Sequence, residues 1–317
     1  MHIAYLDPLR RAWQRMRWML LSPFDATRWL VIGFTVWLAH LTDTWTWFGG
    51  KDAPDIGARI QVDAWHDVAY DVVESVRELF AHGLEIAVVV LLGILAFAVY
   101  VVLLWLGSRG VFMFLDNLVH NRAEVKQPWR AYGERGDSLF LWRIVFGVLC
   151  VIATVPLVVF GVMVLMPVIL ADWGAAFSVP AVILLAFVAL LLGLAIAFVD
   201  FFLIHFVAPI MYLNDVKVME AWRLFLPVLR EHPGSFILYA LFYFLLWVCV
   251  AACIVLAGLL TCCIGWLVLS IPVIGTTLLL PVHLTLRTFD LEFLAQFGPE
   301  CDLVRGFARP QRPGDAG

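Results

Sequence analysis

Six long apolar runs, nearly free of charge, leave this chain few ways to fold. They lie at about 28–48, 84–106, 139–169, 178–210, 236–262 and 264–286. A helix needs roughly 20 apolar residues to cross a hydrocarbon core of about 30 Å, and each run reaches that length. The composition agrees: 63% of residues are hydrophobic and 15% charged, with mean hydropathy +0.93, whereas soluble domains run nearer half apolar and a quarter charged. The expected class is all-α, a polytopic membrane protein with six transmembrane helices. The third and fourth runs exceed one crossing, and Pro156, Pro167 and Pro209 are expected kinks or end points.

Charge sets the expected orientation. Assigned to alternate sides of the six runs, 18 of the 21 Lys and Arg residues fall with the two termini and only Lys51, Arg59 and Arg77 fall opposite. Positively charged loops stay in the cytoplasm, so both termini are expected there. The first run starts only near Trp29 and lacks a small-x-small exit, so it reads as a retained signal anchor. No basic tract suits a nucleic acid; the expected partner is the bilayer, with a homo-oligomer or another membrane protein left open.

The chain also repeats itself. "MFLDN" at 113–117 returns as "MYLND" at 211–215, and each is followed by a Trp-Arg pair, Trp129-Arg130 and Trp222-Arg223. Ala12-Trp13 before Pro23 matches Ala221-Trp222 before Pro233. Pro128-Trp129 before Gly136 is the middle copy. Each unit reads as a short amphipathic helix, a Pro or Gly break, and a polar N-cap launching the next crossing, with Asp25, Asp137 or Ser138, and Ser235 as caps. In the third unit Val218/Met219, Trp222, Leu226 and Leu229 form the expected apolar stripe. Trp13, Trp129 and Trp222 are the candidate interfacial residues, on helices lying in the membrane plane or packed on the bundle.

The expected organisation is therefore three parallel hairpin repeats, each entered from the cytoplasm. The first covers 1–108 with an acidic outer insertion at 49–83, the second 109–212 and the third 213–290, before a cytoplasmic tail at 291–317. An apolar stripe within the insertion (Trp65, Val72, Val76, Leu79) is expected to rest on the bundle or the outer leaflet. Cys262 and Cys263 are adjacent at an outer turn, as packed thiols or a strained vicinal disulfide.

The passages "SRGVFMFLDNLVHNRAEVKQPWRAYGERGDSLFLWRIVFG", "PIMYLNDVKVMEAWRLFLPVLREHPGSFILY", "TCCIG" and "FLAQFGPE" resemble a family of bacterial multi-span proteins, a domain of unknown function. That family is distantly similar to the membrane domain attached to some glycerophosphodiester phosphodiesterases. The resemblance spans nearly the whole chain and implies no catalytic residue, and the soluble phosphodiesterase barrel is missing here.

The sequence holds no HExxH, GxSxG, Walker loop or GxGxxG, so neither an enzyme nor a cofactor site is expected. Ionisable residues within the apolar runs remain, and they are costly in hydrocarbon. Asp200 and His205 share the fourth run, His283 and Arg287 stand at i and i+4 near the sixth, and Arg143 opens the third. Asp116 follows the second. These six form a candidate polar cluster in the inner half, read either as an Asp–Arg lock between helices, with Asp200 paired to Arg143 or Arg287, or as a proton or anion relay. The functional expectation is a non-enzymatic protein with an envelope or membrane-organising role. A transporter or channel for a small solute or lipid is the first alternative, and an intramembrane lipid-modifying enzyme the second.

Overall fold

Apolar residues in unbroken runs satisfy their backbone polar groups within the segment, and the chain accordingly forms long helices. The computed structural model describes residues 3–22, 24–41, 83–170, 175–261 and 264–307, and among them there is no strand. In order come α1 (Leu6–Leu21), α2 (Ala26–Ala39), α3 (Gly83–His120), α4 (Lys126–Ala131), α5 (Gly133–Leu170) and α6 (Ala175–Phe202). One π-helical turn (Leu203–Val207) joins α6 to α7 (Ala208–Asn214), followed by α8 (Val218–Glu231), α9 (Pro233–Leu260), α10 (Ile264–Leu269), α11 (Ile274–Leu278) and α12 (Leu280–Leu294). Short 3-10 turns complete the described chain.

Four stretches are long and apolar enough to cross a membrane: Ala87–His120, Gly133–Met163, Pro180–Asn214 and Pro233–Leu260. These match the second to fifth expected crossings. Of the first, α2 supplies 14 apolar residues, while 42–48 lie outside the described residues, as do most of the 49–83 insertion and the Cys262-Cys263 pair. The run at 264–286 is not one helix. It divides into α10, α11 and the start of α12. Pro272 cannot donate to a helical ladder, Val273 has a positive φ of 66°, and Pro281 opens α12. Pro156 leaves α5 helical through to Leu170, whereas Pro209 sits in the first turn of α7, just after the π turn.

The expected caps fare unequally. Asp25 caps α2, its Oδ1 accepting from the Thr27 N–H at 2.9 Å. Asp137 and Ser138 do not cap α5, because that helix already starts at Gly133. Asp137 instead accepts from Arg109 Nη2 and Trp105 Nε1, both at 2.9 Å. The Ser138 hydroxyl accepts from the Val218 N–H at 3.3 Å, serving the start of α8. Ser235 is not a cap either. Pro233 is the first residue of α9, a position where its fixed φ suits the helix and its missing N–H costs nothing.

Two helix ends share one device. α3 ends at Asn121 and α7 at Asp215, both left-handed with φ 51° and 58°, the conformation that Asn and Asp tolerate best after Gly. An arginine in the first turn of a preceding helix meets each: Arg28 of α2 bonds Asn121, and Arg135 of α5 bonds Asp215. Arg15 adds to the α3 end by donating to the Leu118 and Val119 carbonyls at 3.2 and 3.5 Å, placing cationic donors where a helix carries its partial negative charge.

The chain divides into two units, one made of Met1–Gly50, Leu104–Trp142 and Phe201–Gly317, the other of Lys51–Leu103 and Arg143–Asp200. The first has an aromatic core. Phe225 of α8 stacks on Phe206 at 5.5 Å and meets Phe236 edge-on at 5.4 Å, and Tyr239 stacks on Phe293 at 4.3 Å. The buried side of α8 is thus Val218, Ala221 and Phe225, while Met219 and Leu226 of the expected stripe face outward. In the same unit α1 lies along α12, and its Ala12, Met16, Met19 and Leu20 are buried in the core. Gln296 pairs with both backbone groups of Ala4, at 2.9 and 3.0 Å. Gly110 lets α3 approach α2, since a Cβ there would stand 2.6 Å from the backbone of Leu38 and Ala39. In the second unit the helical side chains of 88–102, 145–163 and 183–198 are largely exposed and apolar, as for helices solvated by lipid.

Candidate functional site

The site begins with a carbonyl that the helix cannot serve. In the π turn the Ala208 N–H reaches back to the Leu203 oxygen, and the next residue, Pro209, has no N–H. The Ile204 carbonyl therefore has neither its i+4 nor its i+5 donor. A buried orphan carbonyl is costly, and Arg287 of α12 supplies the missing donor, Nη1 to O at 2.8 Å.

Arg287 stands three residues before Asp290, which is 1% exposed. Three side chains converge on that carboxylate. Tyr239 of α9 donates its hydroxyl at 2.5 Å, His205 of the π turn places Nδ1 at 2.6 Å, and Arg287 Nη1 lies at 3.5 Å. An ionised carboxylate only accepts, so the hydrogen of the short His205 contact sits on Nδ1. The imidazole is held between Phe201 and Tyr243, with centroids at 4.3 and 4.6 Å. Three helical segments distant in sequence are thereby tied at one buried charge.

A second carboxylate, Asp116 of α3, is equally buried at 1% exposure. Its Oδ1 accepts from the hydroxyls of Tyr132 and Tyr212, both at 3.0 Å, and His120 Nδ1 is also 3.0 Å away. Arg122 Nη2 donates to the same Oδ1 at 3.4 Å and lies 3.3 Å from the other oxygen. Burial first, and then the Asp116 charge, hold the Tyr132 phenol above its ordinary value.

Four of the six expected cluster members lie in the first unit. His205 and Arg287 come together, and the acid they share is Asp290. Asp116 has its own tyrosine pair. His283 packs against His40, centroids 4.9 Å apart. Arg143 is buried and Asp200 exposed, both in the second unit. Asp290 and Tyr239 were missed. The apolar run ends at 286, which assigned the acid to the region beyond the crossing, yet its i+3 spacing from Arg287 was a usable signal. Of the three tryptophans, Trp13 is 52% exposed. Trp129 meets Trp105 edge-on at 5.6 Å, with Arg109 over both rings, and Trp222 stacks on Trp142 at 6.0 Å.

Farther along α12, Glu292 pairs with Arg11 at 3.3 Å. Burial raises the Glu292 pKa, although Arg11 and Arg15 pull it down, and burial lowers the Arg15 pKa to about 10. A raised carboxyl pKa favours the fold at low pH and loses that contribution as pH climbs through the folded value. Glu292→Gln mimics the protonated form, so it should match wild type in acid. Above the ordinary value of 4.5, unfolded wild type sheds its proton before the folded chain does. The glutamine variant should then become progressively the more stable, as read by thermal unfolding in detergent across pH. A pH-independent difference would refute the raised pKa.

No curated protein and no solved structure matches this chain, and the likeness to the phosphodiesterase membrane domain finds no support there. The model of a family of unknown function, DUF7544, matches residues 3–304. That match covers nearly the entire length, including the four membrane-capable helices: the chain is a member of DUF7544.

Proposed function

We propose that this is a non-enzymatic, multi-pass protein of a bacterial cytoplasmic membrane, with both termini cytoplasmic and a membrane-organising role in the envelope. The supporting observation is the use made of Asp290. Its donors come from α9, the π turn and α12, so the polar cluster joins helices, the cheapest way to keep a charge at depth. On this reading the six crossings stand in three hairpin units, with α2 opening the first and the last built from broken pieces between 264 and 286. Exposed non-helical backbone at 270–272 would then lie at headgroup level, outside the hydrocarbon. The matching Arg28–Asn121 and Arg135–Asp215 clasps support the repeat.

The test has two arms. Single cysteines replacing Asp63 and Arg309, in a chain without native cysteines, should react with an impermeant thiol reagent in intact cells at 63 only. Purified protein in liposomes should carry no proton or anion flux under an imposed pH gradient. A protein-dependent flux abolished by Asp290→Asn, with stability unchanged, would overturn the role and favour the transporter. Labelling at 309 from outside would overturn the orientation.

A further inference from the structure

The outward faces of α1 and α8 share a pattern. On α1, Leu6, Arg10, Trp13, Arg17 and Leu21 fall on one arc; on α8, Met219, Arg223, Leu226 and Arg230 do the same. Both follow the spacing i, i+4, i+7, i+11, apolar and arginine in turn, which keeps them within one stripe. The opposite sides are already consumed, with Ala12, Met16, Met19 and Leu20 buried on α1 and Val218, Ala221 and Phe225 on α8. What remains outward is neither a polar solvent face nor a core face. Leu6, Trp13 and Leu21 are 71%, 52% and 55% exposed, and Met219 is 61% exposed.

We propose that these two stripes are binding surfaces for anionic phospholipid headgroups, with the α1 stripe the stronger. Three exposed arginines stand on α1, Arg10 and Arg17 in the stripe and Arg11 beside it on Glu292, against one exposed acid, Asp7. On α8, Lys217, Arg223 and Arg230 are offset by Glu220 and Glu231. Large apolar side chains alternating with guanidinium groups fit the boundary between acyl chains and phosphates. The apolar groups enter, and the arginine stems lie along them with the charge held at the phosphates. Trp13 has the amphipathic ring that settles at that level. A soluble acidic partner would match the arginines but leave Leu6, Trp13 and Leu21 unserved. The proposal rests on the chain being a membrane protein, not on which side α1 faces.

The test uses the full chain, native cysteines replaced by alanine, with a spin label at Leu6→Cys, Leu21→Cys or Met219→Cys in lipid nanodiscs. Discs of phosphatidylcholine alone are compared with discs that also contain phosphatidylglycerol. With phosphatidylglycerol the labels should lose collisions with a water-soluble nickel chelate several-fold and gain collisions with oxygen. Arg10→Glu with Arg17→Glu should abolish that response at positions 6 and 21. Both arginines are exposed, so the unfolding temperature should hold. Equal accessibility in the two discs would overturn the proposal. So would shielding from both reagents in both discs, which would mark a protein partner or a second copy. Discs have no inside, so an orientation error in the proposed function leaves this result untouched and appears only in the cell labelling.

Discussion

Replacing Asp290 by Leu should be among the most damaging single changes in this protein, lowering stability by about 3–5 kcal/mol, the usual cost of removing one partner from a buried ion pair. Arg287, 7% exposed, would keep its charge with nothing to balance it, and the Tyr239 hydroxyl would lose its acceptor in a fully buried place. Asp290→Asn should cost less, because an amide oxygen still accepts from Tyr239 or His205 yet carries no charge for Arg287. The decisive comparison is Asp290→Leu with Arg287→Met. That pair removes both charges, so its loss should be smaller than the sum of the two single losses. Thermal unfolding of the four chains in one detergent measures this, and strict additivity would defeat the lock. Some loss persists in the pair, because the Ile204 carbonyl again lacks its donor.

Asp116 should behave differently. The hydroxyls of Tyr132 and Tyr212 both reach Asp116 Oδ1 and also lie 3.2 Å from one another. Tyr132→Phe or Tyr212→Phe alone leaves one hydroxyl on the carboxylate, so each should cost about 0.5–1.5 kcal/mol. Changing both leaves a buried charge supported only from its exposed side, by His120 and Arg122. The double loss should therefore exceed the sum, the opposite sign of coupling from the Asp290 pair. Thermal unfolding is again the measure, and a double variant no worse than the sum would mean that His120 and Arg122 suffice.

How much of this was legible in the residues depends on range. The second to fifth crossings follow from local apolar length, which needs no knowledge of neighbours. Asp25 was readable as a cap because its partner N–H groups are two and three residues away. Asp137 was not, because α5 begins four residues earlier, at Gly133, and the side chain is claimed by Arg109, 28 positions back. The "MFLDN" and "MYLND" passages look equivalent but end differently. Asp116 is inside a helix that continues to His120, while Asn214 is the last residue of its helix. The structural counterparts are Asn121 and Asp215, about one turn out of letter register. Asp290 was hidden by a rule that treats a charge as the end of a crossing, whereas a π turn and a proline far away at 203–209 create the need for its partner Arg287.

The docking of α1 against α12 has a consequence for synthesis. Residues 6–21 are made before 280–294, so one surface waits for the other while about 270 residues are translated. At roughly 5–20 residues per second, that wait is about 15–55 s. Throughout it the part of α1 that faces α12 lacks that partner. That face of the helix spends the interval against something else, membrane surface or chaperone, and the closing step that seats it cannot precede emergence of α12 from the ribosome.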